Sequence, residues 1–419
     1  MGRKSRSYWI VLSGFVLLAA CSQPGVQRSQ PAAYPIPPDD PDLVDLGEAI
    51  FFDQNLSIHR NQSCAACHEP SFGFGGPDPE VNAGGGVYEG SIPGRFGNRK
   101  APSSAYATES PIFRCAGSDC TGGNFWDGRA TGERLGNAAA EQAQGPFLNP
   151  AEQALRDAAC VVYRVSVASY APIYTAAWGK EIMEIPFPTS IDSDCAVEGP
   201  PLALSAGVRK QVNREYDHIA YAIAAYEGSP KVNAFTSKFD AWRNGQAELT
   251  AEELKGFALF QGKGKCATCH PADGDHALFT DFSYDNLGLP VNPMNPSYVA
   301  TGFRDLGLGD YLKDAAHNGK FRAPTLRNVD RRPNPAAIKA YMHNGVLRSL
   351  EQVVHFYNTR DVLPRCASPS DHGFGVICWP APEVAANLNT EALGNLGLSA
   401  EEERLIVTFL KTLSDGYTN

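Results

Sequence analysis

The sequence has no apolar run of the about 20 residues that a membrane-spanning helix needs. Its N-terminal apolar stretch, residues 8–20, stops at 13. A polytopic membrane protein is thereby excluded. Basic clusters are missing too. Lys and Arg total 36 against 46 Asp and Glu, for a net charge of −10, and no Lys/Arg run suited to a phosphate backbone occurs. No nucleic acid is expected as a partner. Short apolar runs of β type, such as Val161-Val162-Tyr163, are few. Histidine and methionine are scarce, at nine and four. No histidine falls between His68 and His218, and Met183 is the one methionine there. With 43% hydrophobic and 20% charged residues, the chain is not a disordered one. Its 31 Pro and 40 Gly make much of it loop, and 419 residues predict two or three domains.

What is present begins with a processing signal. Arg3, Lys4 and Arg6 precede the apolar stretch, which ends in Leu18-Ala19-Ala20-Cys21. This resembles a bacterial lipoprotein signal over residues 1–20. Cleavage before Cys21 and lipidation of that cysteine would anchor the protein to a membrane facing the periplasm. Loss of the three cations takes the net charge from −10 to −13. Residues 21–43, rich in Pro and Gln, read as a flexible tether. Export also implies an oxidising compartment.

The 11 cysteines sort without remainder. Cys21 is the lipid site. Cys64-Ala65-Ala66-Cys67-His68 and Cys266-Ala267-Thr268-Cys269-His270 are two C-x-x-C-H motifs, the form that attaches c-type haem. Two thiols three residues apart face the same way and can form thioethers to one haem. The following histidine then aims its imidazole at the iron. The alternative, a zinc half-site, lacks a further paired Cys/His set. The remaining six cysteines allow 15 pairings. Sequence neighbours point to Cys115–Cys120, Cys160–Cys195 and Cys366–Cys378.

The two motifs lie 202 residues apart, and a weak repeat surrounds them. Leu46-Gly47-Glu48-Ala49-Ile50-Phe51-Phe52 precedes the first, and Leu254-Lys255-Gly256-Phe257-Ala258-Leu259-Phe260 the second. Each reads as a short amphipathic helix leading to its haem. The expected fold is mainly α, with two cytochrome-c-like haem domains and long loops, at 44–241 and 242–419. The Gly-rich stretch 69–100 reads as one long loop. Helices are expected over 216–226, where Ile219, Ala220, Ile223 and Ala224 have helical spacing, and over 347–357 and 400–413.

Further motifs lie between and beyond the haem sites. They are Phe125-Trp126-Asp127-Gly128-Arg129, Glu141 to Pro146, Asn149-Pro150-Ala151-Glu152, Pro324 to Asn328, and Met342-His343-Asn344-Gly345. With the two haem motifs, they resemble the bacterial di-haem cytochrome c peroxidase and MauG superfamily over about residues 44–415. The resemblance implies two covalently attached haem c groups. The first haem, with His68 as proximal ligand, is the expected reaction site, because no local His or Met is available for its sixth position. Gln142, Pro146 and Glu152 match the family's distal pocket. Glu152 suits the proton transfers that O–O cleavage needs, Gln142 can hold peroxide, and Pro146 shapes the pocket. Trp126 matches the tryptophan between the family's haems, a place for charge relay. Trp178, Trp242 and Trp379 read as structural.

His270 is the expected proximal ligand of the second haem. Its sixth ligand is open among Met294, Met342, His276, His317, His343, His355 and Tyr357. Leu350, Val353, Val354 and Tyr357 share one helical face, and His355 lies off it. The family position matching Tyr357 is a methionine in the peroxidases and a tyrosine in MauG. His343 matches a family histidine suited to structure or electron relay. Family members often hold calcium between the haems. Here Lys100 stands where the liganding Asn is expected, and Ile338 and Ala340 replace a Thr and a Pro, so calcium is not expected.

The expected function is a di-haem enzyme that uses hydrogen peroxide to form high-valent iron and oxidise a partner, as MauG oxidises a protein. The alternative is a cytochrome c peroxidase that reduces peroxide with electrons from a small redox protein. A non-catalytic electron-transfer cytochrome is disfavoured by the Gln142/Glu152 pair. The charge of −13 favours a basic partner surface.

Overall fold

The computed structural model describes residues 40–418 and Gly2. The signal at 1–20, Cys21 and most of the tether lie outside the described residues. The architecture is mainly α, with two small antiparallel sheets among the described residues.

The first helix, α1, spans Pro41–Phe51. The Asp40 side chain caps it by accepting from the N–H groups of Asp42 and Leu43, and Pro41 occupies the first turn, where no N–H is needed. It thus starts inside the segment read as tether. Helix α2 is Ala138–Leu148 and α3 is Ala158–Ser166. Helix α4, Ala206–Gly228, is 23 residues long and extends well beyond the stretch that periodicity marks out. In the second half, α5 is Ala251–Gln261, α6 is Leu350–Thr359 and α7 is Ala400–Leu410. Both α5 and α7 carry capping boxes, Thr250 with Glu253 and Ser399 with Glu402.

The repeat has a structural cause. A Cβ on Gly47 of α1 would lie 1.9 Å from the Ala222 carbonyl oxygen of α4. One on Gly256 of α5 would lie 2.0 Å from the Leu405 carbonyl oxygen of α7. In each half, the helix leading to the haem motif crosses a later helix backbone to backbone, and only glycine permits that approach. The two main apolar cores among the described residues are built around these crossings. One gathers buried residues between Leu43 and Val232, the other between Phe239 and Leu413.

Strands β1 (Arg114–Ala116) and β2 (Asp119–Thr121) form a hairpin with Cys115 opposite Cys120. Strands β3 (Tyr284–Asp285) and β4 (Phe321–Arg322) pair Tyr284 with Arg322. The three disulfides are Cys115–Cys120, Cys160–Cys195 and Cys366–Cys378, the pairing of sequence neighbours.

Two local readings need correction. Val161-Val162-Tyr163 is not of β type but lies inside α3. Asp157 caps that helix, and Cys160, Val161, Val162 and Val165 are all fully buried. A helix buried on most sides loses the periodicity that identifies it. The stretch 69–100 is not loop throughout. It carries a 3₁₀ turn at Pro70–Phe72 and a short helix at Pro79–Ala83, each capped by the acidic residue before it, Glu69 and Asp78.

Candidate functional site

Both C-x-x-C-H motifs adopt the same fold. Cys64–Ala66 and Cys266–Thr268 are 3₁₀ turns. The His68 amide donates to the Cys64 carbonyl at 3.0 Å, and that of His270 to Cys266 at 2.9 Å. Each imidazole is oriented from behind. His68 Nδ1 lies 3.1 Å from the Phe74 carbonyl oxygen, and His270 Nδ1 lies 2.7 Å from that of Phe279. Both phenylalanines adopt left-handed backbone, with φ of 57° and 52°. The carbonyl fixes the tautomer with the proton on Nδ1 and leaves Nε2 as a ligand atom. Burial lowers the pKa of both imidazoles, to about 4 for His68, so both are neutral and able to bind metal.

The first cavity collects every distal residue expected from the sequence. Gln142, Pro146, Glu152 and Trp126 line it together with Cys64, Cys67 and His68. Gln142 and Pro146 lie four apart on α2. Pro146 has no N–H to give the Gln142 carbonyl, which loosens the helix there. The chain then leaves α2 at Asn149 and returns Glu152 to the same wall. Asn149 Nδ2 donates to Glu152 Oε1 at 2.8 Å, which orients the carboxyl. Burial raises the pKa of Glu152, against the opposing charge of Arg129. The Gln142 side chain donates to no group among the described residues.

The second cavity differs. Tyr357 lines it with Cys266, Cys269 and His270, and so do Leu350, Val353 and Val354 from the same face of α6. The helical stripe read from sequence is therefore the cavity wall. Burial, the first cause, and the nearby Cys269 and Cys266 sulfurs raise the Tyr357 phenol pKa. A bound cation is needed to draw the proton off. Met342 and His343 also line this cavity. The other expected ligands are turned elsewhere. Met294 is 56% exposed. His276 stacks on Phe235 with centroids 4.3 Å apart. His355 Nδ1 lies 3.1 Å from both Glu403 oxygens, and His317 sits 3.8 Å from Asp314.

Trp126 and Lys100 line both cavities. The Trp126 indole donates to the Lys100 carbonyl at 2.8 Å and lies edge-on to His343, with centroids 6.4 Å apart. His343 stacks flat on Phe321 at 3.5 Å. Beside them Arg99 pairs with Asp127 and Asp305, both at 2.6 Å.

Comparison with known proteins agrees with this geometry. The family described as di-haem cytochrome c peroxidase matches residues 41–248. The methylamine utilization protein MauG of Paracoccus denitrificans is 32% identical over 397 residues, 90% of each chain. The chain belongs to the di-haem cytochrome c peroxidase and MauG family. The cytochrome c551 peroxidase of Nitrosomonas europaea is 27% identical over 357 residues, 83% of each chain. The crystal structure of the diheme peroxidase BthA from Burkholderia thailandensis superposes with a TM-score of 0.70 at 30% identity. It covers 90% of this chain and 86% of that one.

This di-haem peroxidase is thus an oxidoreductase acting on peroxide, with two haem groups. Its donor set fits them. Cys64, Cys67, Cys266 and Cys269 are free, whereas the other six described cysteines form disulfides. Each free pair faces a cavity with an oriented imidazole beside it. Three groups on the walls carry no role in the sequence reading. Arg129 donates to both Asp127 oxygens at 2.9 Å and lies 3.7 Å over the Phe125 ring. Asn149 orients Glu152. Both fall within the quoted motifs, which was their only signal. Glu227 is 3% exposed on the first cavity, and burial pushes its pKa up to about 8. An acid in the apolar end of α4 was the hint there.

Proposed function

We propose that this enzyme is MauG-like, taking oxidising equivalents from hydrogen peroxide at the first cavity and passing them to a partner protein. The observation that carries this reading is the place of Tyr357, on the wall of the second cavity beside His270, Cys266 and Cys269. In the reading, Cys64/Cys67 and Cys266/Cys269 would hold the two haems by thioethers, and His68 and His270 would be iron ligands. Bound haem would supply the redox chemistry that breaks the peroxide O–O bond. The protein's part is binding and proton transfer. The unpartnered Gln142 amide holds peroxide. Glu152, as carboxylate, takes the proton from the inner oxygen and returns one to the leaving oxygen, which departs as water. Pro146 narrows the approach. Trp126, in contact with both cavities, carries charge between them. A phenolate from Tyr357 is a hard anionic ligand and favours the higher oxidation states of iron.

The competing reading is cytochrome c peroxidase activity, with Met342 as the second axial ligand. Its support is that Met342 lines the same cavity. The two separate on adding one equivalent of peroxide to the ferric holoprotein. The MauG-like reading requires a long-lived oxidised spectrum that Tyr357→Met abolishes. A spectrum that decays at the same rate in both proteins rejects it.

Two further proposals concern surroundings. The enzyme is exported and lipid-anchored at Cys21 in the periplasm. The lipoprotein-type signal and the three disulfides support this. Cys21→Ser should move it from the membrane to the soluble periplasmic fraction; unchanged membrane retention would refute the anchor. The region expected for calcium does not fit a divalent cation. Lys100 Nζ donates to the Ala101 carbonyl at 2.9 Å, and Lys339 Nζ to those of Asn328 and Arg331 at 2.8 and 3.1 Å. Burial lowers these amines to about 8 and about 7, the Lys100 charge adding to the effect on Lys339. Lysine amines bond the carbonyls of this region, which disfavours a cation that needs six to eight oxygen ligands. Stoichiometric calcium in chelator-washed protein would contradict this.

A further inference from the structure

Four arginines among the described residues are buried: Arg164, Arg322, Arg327 and Arg360. Three have acceptors for their guanidinium groups, although Arg164 Nε has none. Arg327 donates to both oxygens of Asp240 at 2.9 and 2.8 Å. Arg360 pairs with Asp361 and also donates to the carbonyls of Leu287 and Asn389. Arg164 donates to the carbonyls of Asn55, Ser57 and Cys195. Arg322 is the exception. It is 8% exposed, its Nε has no partner, and no described carboxylate or carbonyl accepts from its guanidinium. Its side-chain contact is with the Phe282 ring, 5.8 Å away.

An arginine does not shed its proton in a protein, so this charge is retained and needs an anion. Arg322 lines the second cavity. The acids on that wall are Asp285, Asp305 and Glu383, and none of them accepts from Arg322. Asp305 is held by Arg99 at 2.6 Å, and Glu383 accepts from the Asp305 amide at 3.0 Å. The Lys100 and Lys339 amines on the wall are occupied by carbonyls. The missing anion must therefore arrive with what fills the cavity, and a haem brings two propionate carboxylates.

We propose that Arg322 is the anion site that clamps a propionate of the second haem. The inference rests on a haem attached at Cys266 and Cys269. The clamp also has a direction. The Arg322 amide donates to the Trp126 carbonyl at 2.9 Å, so the same residue ties the cofactor edge to the chain of the bridging tryptophan. A cation on the propionate offsets its charge and so favours Fe(II) at that haem.

The test uses the holoprotein with Arg322→Gln and Arg322→Lys. Haem content is measured first, then each haem's reduction by spectroelectrochemistry. For Arg322→Gln, at fixed potential, the Fe(III)/Fe(II) ratio of the second haem should rise at least threefold, with the first haem unchanged. Arg322→Lys, which keeps the charge, should load both haems and recover most of that change. Loss of the second haem in Arg322→Gln with full loading in Arg322→Lys would also support the clamp. Full loading with unchanged reduction of the second haem in Arg322→Gln overturns it, as does failure of Arg322→Lys to load. A wild-type protein carrying a single haem would instead overturn the attachment on which the inference stands.

Discussion

The two cavities share one lower half and differ in the upper. Below, each has a 3₁₀ turn with two free thiols and an imidazole held by the carbonyl of a left-handed phenylalanine. Above, the first presents the Glu152 carboxyl, the unpartnered Gln142 amide and Arg129, whereas the second presents the apolar face of α6 with Tyr357 on it. The proximal apparatus therefore does not decide the chemistry. What faces it differs: polar and titratable side chains at one end, a mostly apolar wall carrying Tyr357 at the other.

The sharpest way to break that division is Glu152→Gln. Peroxide-dependent turnover should fall about 10²–10⁴-fold with both haems still attached, the usual scale of general acid–base catalysis. Burial raises the Glu152 pKa, so in the wild type the carboxylate is lost at a pH above the ordinary carboxylate range. The rate should fall as pH drops through that raised value, and the fall should vanish in the glutamine variant. An unaffected rate would remove Glu152 from the mechanism.

The common half is tested by a matched pair. Gly47→Ala and Gly256→Ala each force a methyl into a carbonyl oxygen. Each should destabilise by about 1–3 kcal/mol, read as a lower Tm of the holoprotein. If one is tolerated and the other is not, the two crossings are not equivalent.

Such a crossing shows where sequence reading stops. The haem motifs were legible because their chemistry is local, two cysteines three residues apart and the histidine that follows. Gln142, Pro146 and Glu152 were picked out by the family resemblance of their motifs, and all three line one cavity. The α6 stripe was legible as period 3.6, and it is the cavity wall. The repeat around Gly47 and Gly256 could be seen, but not its cause, which is a carbonyl more than a hundred residues away in each case. The Val161 run misled because burial on most sides erases periodicity. Arg322 left no signal at all, since an unpaired charge is visible only once its surroundings are.

A smaller effect is expected from Trp126→Phe, which removes the indole bond to Lys100 and the proposed relay between the cavities. Peroxide consumption by the first cavity should persist, while oxidation of the second haem slows several-fold. Equal rates at both haems would make Trp126 structural. Smallest is the salt effect. At a charge of −13 after the proposed cleavage before Cys21, association with a basic partner should slow as ionic strength rises and screening shortens to about 8 Å at physiological salt. Salt-independent kinetics would confine the charge to solubility.

The most direct test of the account is the axial ligand of the second haem, read by absorption spectra of the wild type and Tyr357→Phe. The account predicts no methionine-to-iron charge-transfer band in the native protein. In Tyr357→Phe, the second haem should lose its native low-spin spectrum while the first is unchanged. A methionine charge-transfer band in the native protein that survives Tyr357→Phe would assign the position to Met342 and contradict the MauG-like reading.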